Sequence, residues 1–400
     1  MHPPGAETVL VRYGEIGLKS GRVQSRMEGR LRDNIAASLD TAGFDDPVER
    51  AHTRLYVHTA SDRIERVTDV VTDVFGVVSA SPTIRVDPTM DDICDTLASA
   101  AVEHYDGGTF AVRARRAGSK SAHPFSSTDV ETQGGNTVWE TATDHGVDPA
   151  VDLEAPDLTF HVECRPEDAF VFLDRQAGPG GLPVGTQQPL VALVSGGLDS
   201  PVAAWSVMKR GCPVAPLYID LGAYGGVDHQ LRARQTVSRL QRYAPNHDLR
   251  LRVAPGGEGV DRIVEATDHC RMPVLRRFMY RIAEHVAESI EAEGIVTGDS
   301  IGQKSSQTSS NLRVSSAVTP FPVHRPLLAV DKTEITDRAR DIGTYHDSTI
   351  DAGCNRIAPD QPATRPTLST ITDLEPDDIE QLARDAAAQV EVLDHVDSGA

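Results

Sequence analysis

Six consecutive residues, Ser195-Gly196-Gly197-Leu198-Asp199-Ser200, bring together the residue types needed to grip an anion. They follow the apolar run 190–194 and precede a helical pattern that starts at Pro201, so they read as the turn between a strand and a helix. Unpaired backbone N–H groups and the positive end of the helix dipole gather at such a junction. Gly196 and Gly197 let the main chain approach a ligand closely, Ser195 and Ser200 add hydroxyl donors, and Pro201 suits a first helical turn. A carboxylate inside a phosphate loop is unfavourable unless Mg²⁺ lies between it and the phosphates or it positions the acceptor, and this gives Asp199 a task. The competing readings are a strand-turn-helix with no ligand and, for Asp199, helix N-capping. The spacing matches neither a Walker loop nor a dinucleotide fingerprint.

Three further places carry chemistry-bearing residues. Lys332, in VDKTEI, is either a surface lysine at a helix start or a cation that neutralises charge on a departing phosphate. Cys354, in DAGCN, is flanked by Gly353 and Asn355 and reads as loop-borne and reachable, the alternative being a buried thiol. Residues 107–128 contain no acid, yet they hold Arg113, Arg115, Arg116, Lys120 and His123. Arginine suits phosphates and stacked bases, so this stretch reads as an RNA contact, with a solvated strand end as the alternative.

The elements that must position these residues fall into two patterns. From residue 190 onward, strands (LVALV, PVAPLYI, LRLRVA, GIVTG) alternate with helical segments at 201–210, 232–243 and 273–293. That alternation predicts an α/β fold with a parallel sheet and helices on both faces, and ligands then sit at the carboxyl ends of the strands. Upstream, strands such as TVLVRYG, TRLYVHT, TFAVRARR, LTFHVECR and AFVFLDR mix with helices, among them an arginine-rich one at 23–39 and an amphipathic one near 64–74. The reading divides the chain into 1–60, 61–175, a glycine- and proline-rich linker at 176–189, the α/β domain at 190–373, and an acidic helical surface tail at 374–400.

Composition sets the setting. The chain has 400 residues, a net charge of −20, and only five lysines among its 39 basic residues, a balance that fits a protein kept soluble in concentrated salt and hence a halophilic source. Overall acidity opposes non-specific nucleic-acid binding, so local clustering of cations has to decide that question. Five widely spaced cysteines exclude a disulfide framework and a CxxC zinc site, and no segment reads as a membrane span or secretory signal. A cytoplasmic protein with no membrane partner and no protein-held metal site is expected.

SGGLDS resembles the pyrophosphate loop of ATP pyrophosphatases. Together with 295–312 (IVTGDSIGQKSSQTSSNL), RPLLAVDKTEI and STIDAGCNRI, it is similar to the tRNA 4-thiouridine synthetase (ThiI-type tRNA uridine sulfurtransferase) family, over most of the chain. That resemblance implies a ferredoxin-like domain, a THUMP RNA-binding domain and a C-terminal PP-loop domain. It implies ATP and Mg²⁺ as cofactors, tRNA as partner, and 4-thiouridine at position eight as product. It places Leu193, Val194, Ser195, Gly196, Gly197, Ser200, Tyr218, Ile219, Arg276, Gly298 and Gln307 around ATP. Asp199 and Lys332 act in adenylation, Cys354 carries sulfur as a persulfide, and the sulfur donor is a cysteine desulfurase persulfide or sulfide. A rhodanese relay is absent, since 46 residues follow Cys354 and none is cysteine; Cys270, Cys212 or an external thiol is left as the resolving group. A homodimer and a second role in sulfur supply for the thiamine thiazole are also consistent with the resemblance. The alternatives are another PP-loop tRNA-modifying or amidating enzyme, and a tRNA-binding protein without catalysis.

Overall fold

The computed structural model describes residues 1–51, 54–118, 123–225, 227–346 and 357–395. They form two compact units, residues 1–181 and 182–400.

In the first unit, strands β1 (Thr8–Tyr13), β2 (Val48–Ala51), β3 (Arg54–His58), β4 (Val77–Val86), β5 (Thr109–Arg116), β6 (Ala150–Val151), β7 (Leu158–Cys164) and β8 (Ala169–Phe172) lie in the order β2-β3-β1-β4-β8-β7-β5-β6. A short β9 (Gln176–Ala177) pairs with β4. Helices α1 (Gly21–Thr41), α2 (Ile64–Thr72), α3 (Met90–His104) and α4 (Ser127–Asp144) accompany the sheet. Helix α2 packs on α1, β1 and β4, and α3 packs on α4. Strand β4 joins the two halves: its first residues pair with β1, and Ile84–Val86 pair with β8.

In the second unit, β10 (Leu190–Leu193), β11 (Val214–Asp220), β12 (Leu251–Pro255), β13 (Ile295–Val296), β14 (Val323–His324) and β15 (Glu391–Leu393) form a sheet in the order β14-β13-β10-β11-β12-β15. Every pairing is parallel except that of β15 with β12. The chain runs outward from β10 through β11 to β12, then returns to the other side of β10 for β13 and β14. The direction therefore reverses between β10 and β13, where the carboxyl ends of an open α/β sheet leave a crevice.

Helices α5 (Asp199–Met208), α6 (Val227–Gln241), α7 (Gly257–Ala266), α8 (Arg271–Ser289), α9 (Ser309–Ser316), α10 (Lys332–Asp341), α11 (Leu368–Leu374) and α12 (Ile379–Ala388) surround this sheet. Helix α5 packs with α6 and α10, whereas α8 packs with α7, α9, α11 and α12. Helix α5 buries eight of its ten residues, from Ser200 and Pro201 through Ala204 and Trp205 to Met208, so it sits as a core helix rather than an amphipathic one.

Two expectations change. Within the tail expected at 374–400, the described residues 374–395 are not a surface appendage: Ile379, Ala383 and Ala386 are buried in the same core cluster as Phe278 and Ile282 of α8, and β15 closes the sheet edge. The acidic composition hid a narrow apolar stripe, which is enough to dock a ten-residue helix. Residues 176–189 are likewise well fastened. Gly178 and Gly180 donate backbone hydrogen bonds to Val78 and Val77 in the first unit, and in the second unit Gly185 and Gln187 donate to Gly211.

Candidate active site

The turn after β10 and the start of α5 form one wall of a cavity of about 510 Å³. Gly196 adopts φ +68°, where a β-carbon would lie 2.8 Å from the His229 carbonyl oxygen, so both the turn and its neighbour require glycine. The Ser200 hydroxyl closes the loop on itself, accepting from the Ser195 N–H at 3.2 Å and lying 3.5 Å from the Gly197 carbonyl. It shapes the loop instead of offering its proton to a ligand. No side chain caps the N-terminus of α5, so its first N–H groups stay available at the positive end of the helix.

The second wall comes from the end of β13. Gly298 passes against the first turn of α5 so closely that a β-carbon there would stand 2.8 Å from the Asp199 carbonyl carbon and 2.9 Å from the Ser200 nitrogen. Next to it, Asp299 is 4% exposed and collects five partners. Arg276 and Gln307 bond one carboxylate oxygen, the latter at 3.4 Å. Thr297 (2.9 Å), Tyr280 (3.3 Å) and Arg325 (3.3 Å) bond the other. Burial pushes the Asp299 carboxyl up, but Arg276 and Arg325 beside it outweigh that and hold it below the usual aspartate value. The Tyr280 hydroxyl, buried and facing that carboxylate, is pushed up.

Asp199 lies at the mouth, a quarter exposed, with its carboxylate bonded to Lys332 at 2.6 Å and to the Gln303 amide at 3.2 Å. Lys332 opens α10, and residues 300–301, just past Asp299, bond the backbone of 328–330 just before it. The loops after β10, β13 and β14 are thereby tied at one point. The remaining lining is Met272, Leu275 and Met279 of α8, the polar run Lys304 to Gln307, and Ala358, Pro359 and Pro362.

Of the residues expected around a nucleotide, Leu193, Val194, Ser195, Gly197, Ser200, Arg276, Gly298 and Gln307 line this cavity together with Asp199. Gly196 belongs to the same loop but turns toward His229. Tyr218 and Ile219 are buried within β11 and are not among the lining residues; Ile219 packs in the core with Phe278. Lys332 is brought to the site through its bond to Asp199. Asp299 was not singled out by sequence reasoning, although its position at the end of a parallel strand beside the reversal point is the same signal that marks SGGLDS.

Cys354 and Lys120 lie outside the described residues. The segment just after Cys354 is anchored at the cavity: the Ile357 carbonyl accepts from Arg271 at 3.2 Å, the Gln361 carbonyl bonds His269 at 2.6 Å, and the Ala363 N–H donates to His269 at 2.8 Å. The four described cysteines are all free thiols. Burial pushes Cys212 and Cys270 up and takes Cys164 to about 11, so these three are not poised as thiolates.

In the first unit, Arg113 donates to the Leu153 carbonyl and Arg116 to the Phe125 carbonyl, while Arg115 is exposed and makes no such bond among the described residues. His123 is buried and stacks on Phe125 at 5.5 Å. On the β1-β3-β7 region, Arg12 (3.3 Å), Arg54 (3.5 Å) and Arg165 (2.6 Å) converge on Glu163. Burial raises the Glu163 carboxyl, and these arginines more than reverse the effect.

Among the described residues no group of three or more His, Cys, Asp or Glu side chains is placed to hold a metal, and no helix is long and apolar enough to cross a membrane.

Comparison with known proteins adds three findings. Residues 185–378 match the model described as thiamine biosynthesis protein (ThiI), 8–81 match the ThiI ferredoxin-like domain, and 88–174 match the THUMP domain. A probable tRNA sulfurtransferase of Halobacterium salinarum is 55% identical over 97% of both chains, and one of Methanosarcina acetivorans is 38% identical over 96% of this chain and 93% of its own. A crystal structure of a 4-thiouridine synthetase–RNA complex with bound ATP superposes with a TM-score of 0.85 at 30% identity, covering 97% of this chain and 99% of the other.

Proposed function

The chain belongs to the ThiI family of tRNA sulfurtransferases, and on that premise we propose that it uses ATP to convert a tRNA uridine, at position eight, to 4-thiouridine. The observation that carries the reading is the cavity at the carboxyl ends of β10 and β13, floored by an uncapped helix N-terminus and flanked by Arg276 and Lys332. Its volume falls in the range of a nucleotide-sized ligand. Gly298 and the SGGLDS turn keep the space beside α5 clear of side chains, so the residues fit the triphosphate of ATP.

The phosphates take the backbone N–H groups of Gly196 to Ser200, the Ser195 N–H being held by the Ser200 hydroxyl. The O4 of the uridine attacks the α-phosphorus, the α–β bridge breaks, and pyrophosphate leaves with its charge met by Lys332. Mg²⁺ is commonly held by one or two carboxylates plus phosphate oxygens, and Asp199 is the carboxylate that fits, since Asp299 is engaged by two arginines. Cys354 precedes Ile357 by three residues, at most about 11 Å of chain, and we assign it the persulfide whose outer sulfur attacks C4 and expels AMP. A second thiol then cleaves the remaining S–S bond, releasing 4-thiouridine and leaving Cys354 in a disulfide with that thiol. Residues 61–175 and the unit preceding them hold the RNA, and the reaction is placed in the cytoplasm with a cysteine desulfurase persulfide as the source of the outer sulfur; sulfide serves only by attacking that disulfide, which restores the Cys354 persulfide and frees the second thiol. The description of the matched family also favours a second reading, sulfur supply for the thiazole of thiamine, which growth of a deletion strain without thiamine would test.

Incubation with tRNA, ATP, cysteine and a cysteine desulfurase as persulfide donor, with a reducing thiol present, followed by nucleoside mass spectrometry should yield 4-thiouridine together with pyrophosphate. Cys354→Ser should retain tRNA binding and pyrophosphate release but stop sulfur incorporation. Thiolation at the wild-type rate in that variant would remove Cys354 from the mechanism.

A further inference from the structure

We propose that the exposed face of α1 is a docking surface for RNA phosphates, distinct from the arginines of β5. The inference rests on tRNA being the partner. Residues 16–33 contain five cations (Lys19, Arg22, Arg26, Arg30 and Arg32) and two acids, Glu28 and Asp33, in a chain whose net charge is −20. Asp33 is exposed and bonds Arg32 at 2.8 Å, so the unpaired charge of the face rests on Arg22, Arg26 and Arg30. Glu28 is buried, with its carboxylate bonded to Tyr13, to Gln24 at 2.8 Å and ion-paired with Arg50 at 3.6 Å, and it presents no negative charge on the outer face.

Arg22, Arg26 and Arg30 follow one another at intervals of four. A helix advances 1.5 Å and one hundred degrees per residue, so they occupy an arc of about 80° and stand roughly 6 Å apart along the axis. The step is comparable to that between successive phosphates of one strand. The face turned inward carries Met27, Leu31, Ile35 and Leu39, all buried, which fixes the arginines outward. All three are exposed, and none makes a hydrogen bond or ion pair among the described residues.

Two neighbours support the same occupant. Gly29 lies on the outer face alongside the arginine row, nearly in line with Arg22 along the axis, and a β-carbon there would meet nothing within 4 Å. A glycine inside a helix lowers its stability, and here no packing demands it. Its effect is to let a chain come close to the helix beside the guanidinium groups. Arg50 of β2 reaches the rim of this face, donating to the Ser25 carbonyl at 3.2 Å and hydroxyl at 3.0 Å. An unpaired arginine row on an acidic protein complements a polyanion, and the regular spacing fits a phosphate backbone better than a folded acidic surface.

The test is binding of an unmodified tRNA transcript to the full chain, followed by fluorescence anisotropy across a potassium chloride series. The triple variant Arg22→Gln, Arg26→Gln, Arg30→Gln should bind at least tenfold more weakly at low salt. Its plot of log affinity against log salt should be shallower by about 2 to 3, since each phosphate contact contributes 0.7–0.9. The matching triple lysine variant should recover most of the slope, and ATP binding should be unchanged in both. Gly29→Gln should melt higher than wild type yet hold RNA less tightly, a combination that a purely structural role does not produce. A glutamine triple variant with wild-type affinity and slope would overturn the docking surface alone, whereas a wild-type chain that failed to retain tRNA would overturn the function beneath it.

Discussion

A carboxylate as enclosed as that of Asp299 survives in its charged form because two guanidinium groups and two hydroxyls surround it. Removing one partner of such a buried pair leaves the other charge uncompensated, at a cost of about 3–5 kcal/mol. Asp299→Asn should therefore lower the thermal midpoint of the second unit and weaken ATP binding at once, because Arg276 and Gln307 lose their anchor; a variant with unaltered melting would refute the hub. The sign with pH follows from the lowered folded value. Stability from this group is full above the unfolded pKa of an aspartate and is lost as pH falls through the lower folded one, so acid unfolding should steepen below about pH 4 in wild type and not in the variant. Lys332 and Asp199 present the opposite case. Lys332 is half exposed and the pair contributes little to stability, yet its lysine stands where charge develops. Lys332→Gln should leave the melting curve nearly unmoved while slowing pyrophosphate release by about a hundredfold or more; a large melting shift with normal turnover would reverse that assignment. The loop was legible because two glycines flanked by serines at a strand end have few other uses, whereas Lys332, a lysine at a helix start with an ordinary surface reading, was singled out only through the family resemblance. Asp299 escaped because its meaning depends on Arg325 and Tyr280, which reach it only in the folded chain.

At the level of elements, strand-helix alternation in the second unit was readable because parallel strands buried on both sides appear as short, continuous apolar runs. Strand β4 was not, although it joins the halves of the first sheet. Its sequence, VVSASPTIRV, looks like a loop because its buried side chains include Ser79, Ser81 and Thr83. These are satisfied by Arg175 (2.9 Å), Arg12 (2.9 Å) and the Val171 carbonyl (2.8 Å), and no alternating apolar pattern is then needed. Pro82 is tolerated for a topological reason. The Val78 carbonyl faces β9, so the nitrogen of Pro82 faces that side too, in the gap between the pairings of β9 at 79–80 and β8 at 84–86. The C-terminal elements were misjudged through charge, and their attachment makes a prediction of its own. Glu375 receives paired bonds from both Arg277 and Arg281, at 2.6 to 3.1 Å, and locks α11 and α12 onto α8, the helix that carries Arg276. Glu375→Ala should cost about 3 kcal/mol by leaving the buried Arg277 without a carboxylate and Arg281 with Glu380 alone. For a unit of this size that is a fall of roughly 6–12 °C in melting temperature. A shift under two degrees would show that the apolar stripe of α12 holds the tail without the clamp.

Across the whole molecule, one property must serve two opposed needs. With 59 acids against 39 bases, the folded chain repels itself, and each increase in ionic strength relieves that repulsion by shortening the range over which like charges act, from about 10 Å at 0.1 M to 3 Å at 1 M. The melting temperature should accordingly rise with potassium chloride up to molar concentrations. RNA affinity moves the other way, since every phosphate neutralised by an arginine releases counterions whose return grows more favourable with salt. The cations that survive screening best are those with geometric as well as electrostatic hold, and the near exclusion of lysine in favour of arginine supplies them. Thiolation at fixed, subsaturating tRNA should therefore pass through a maximum in salt, limited by folding below it and by RNA capture above it. Raising the tRNA concentration should move that maximum to higher salt while leaving the melting curve in place. A rate that climbed in step with the melting temperature, at every tRNA concentration and without a descending limb, would mean that capture does not depend on phosphate contacts.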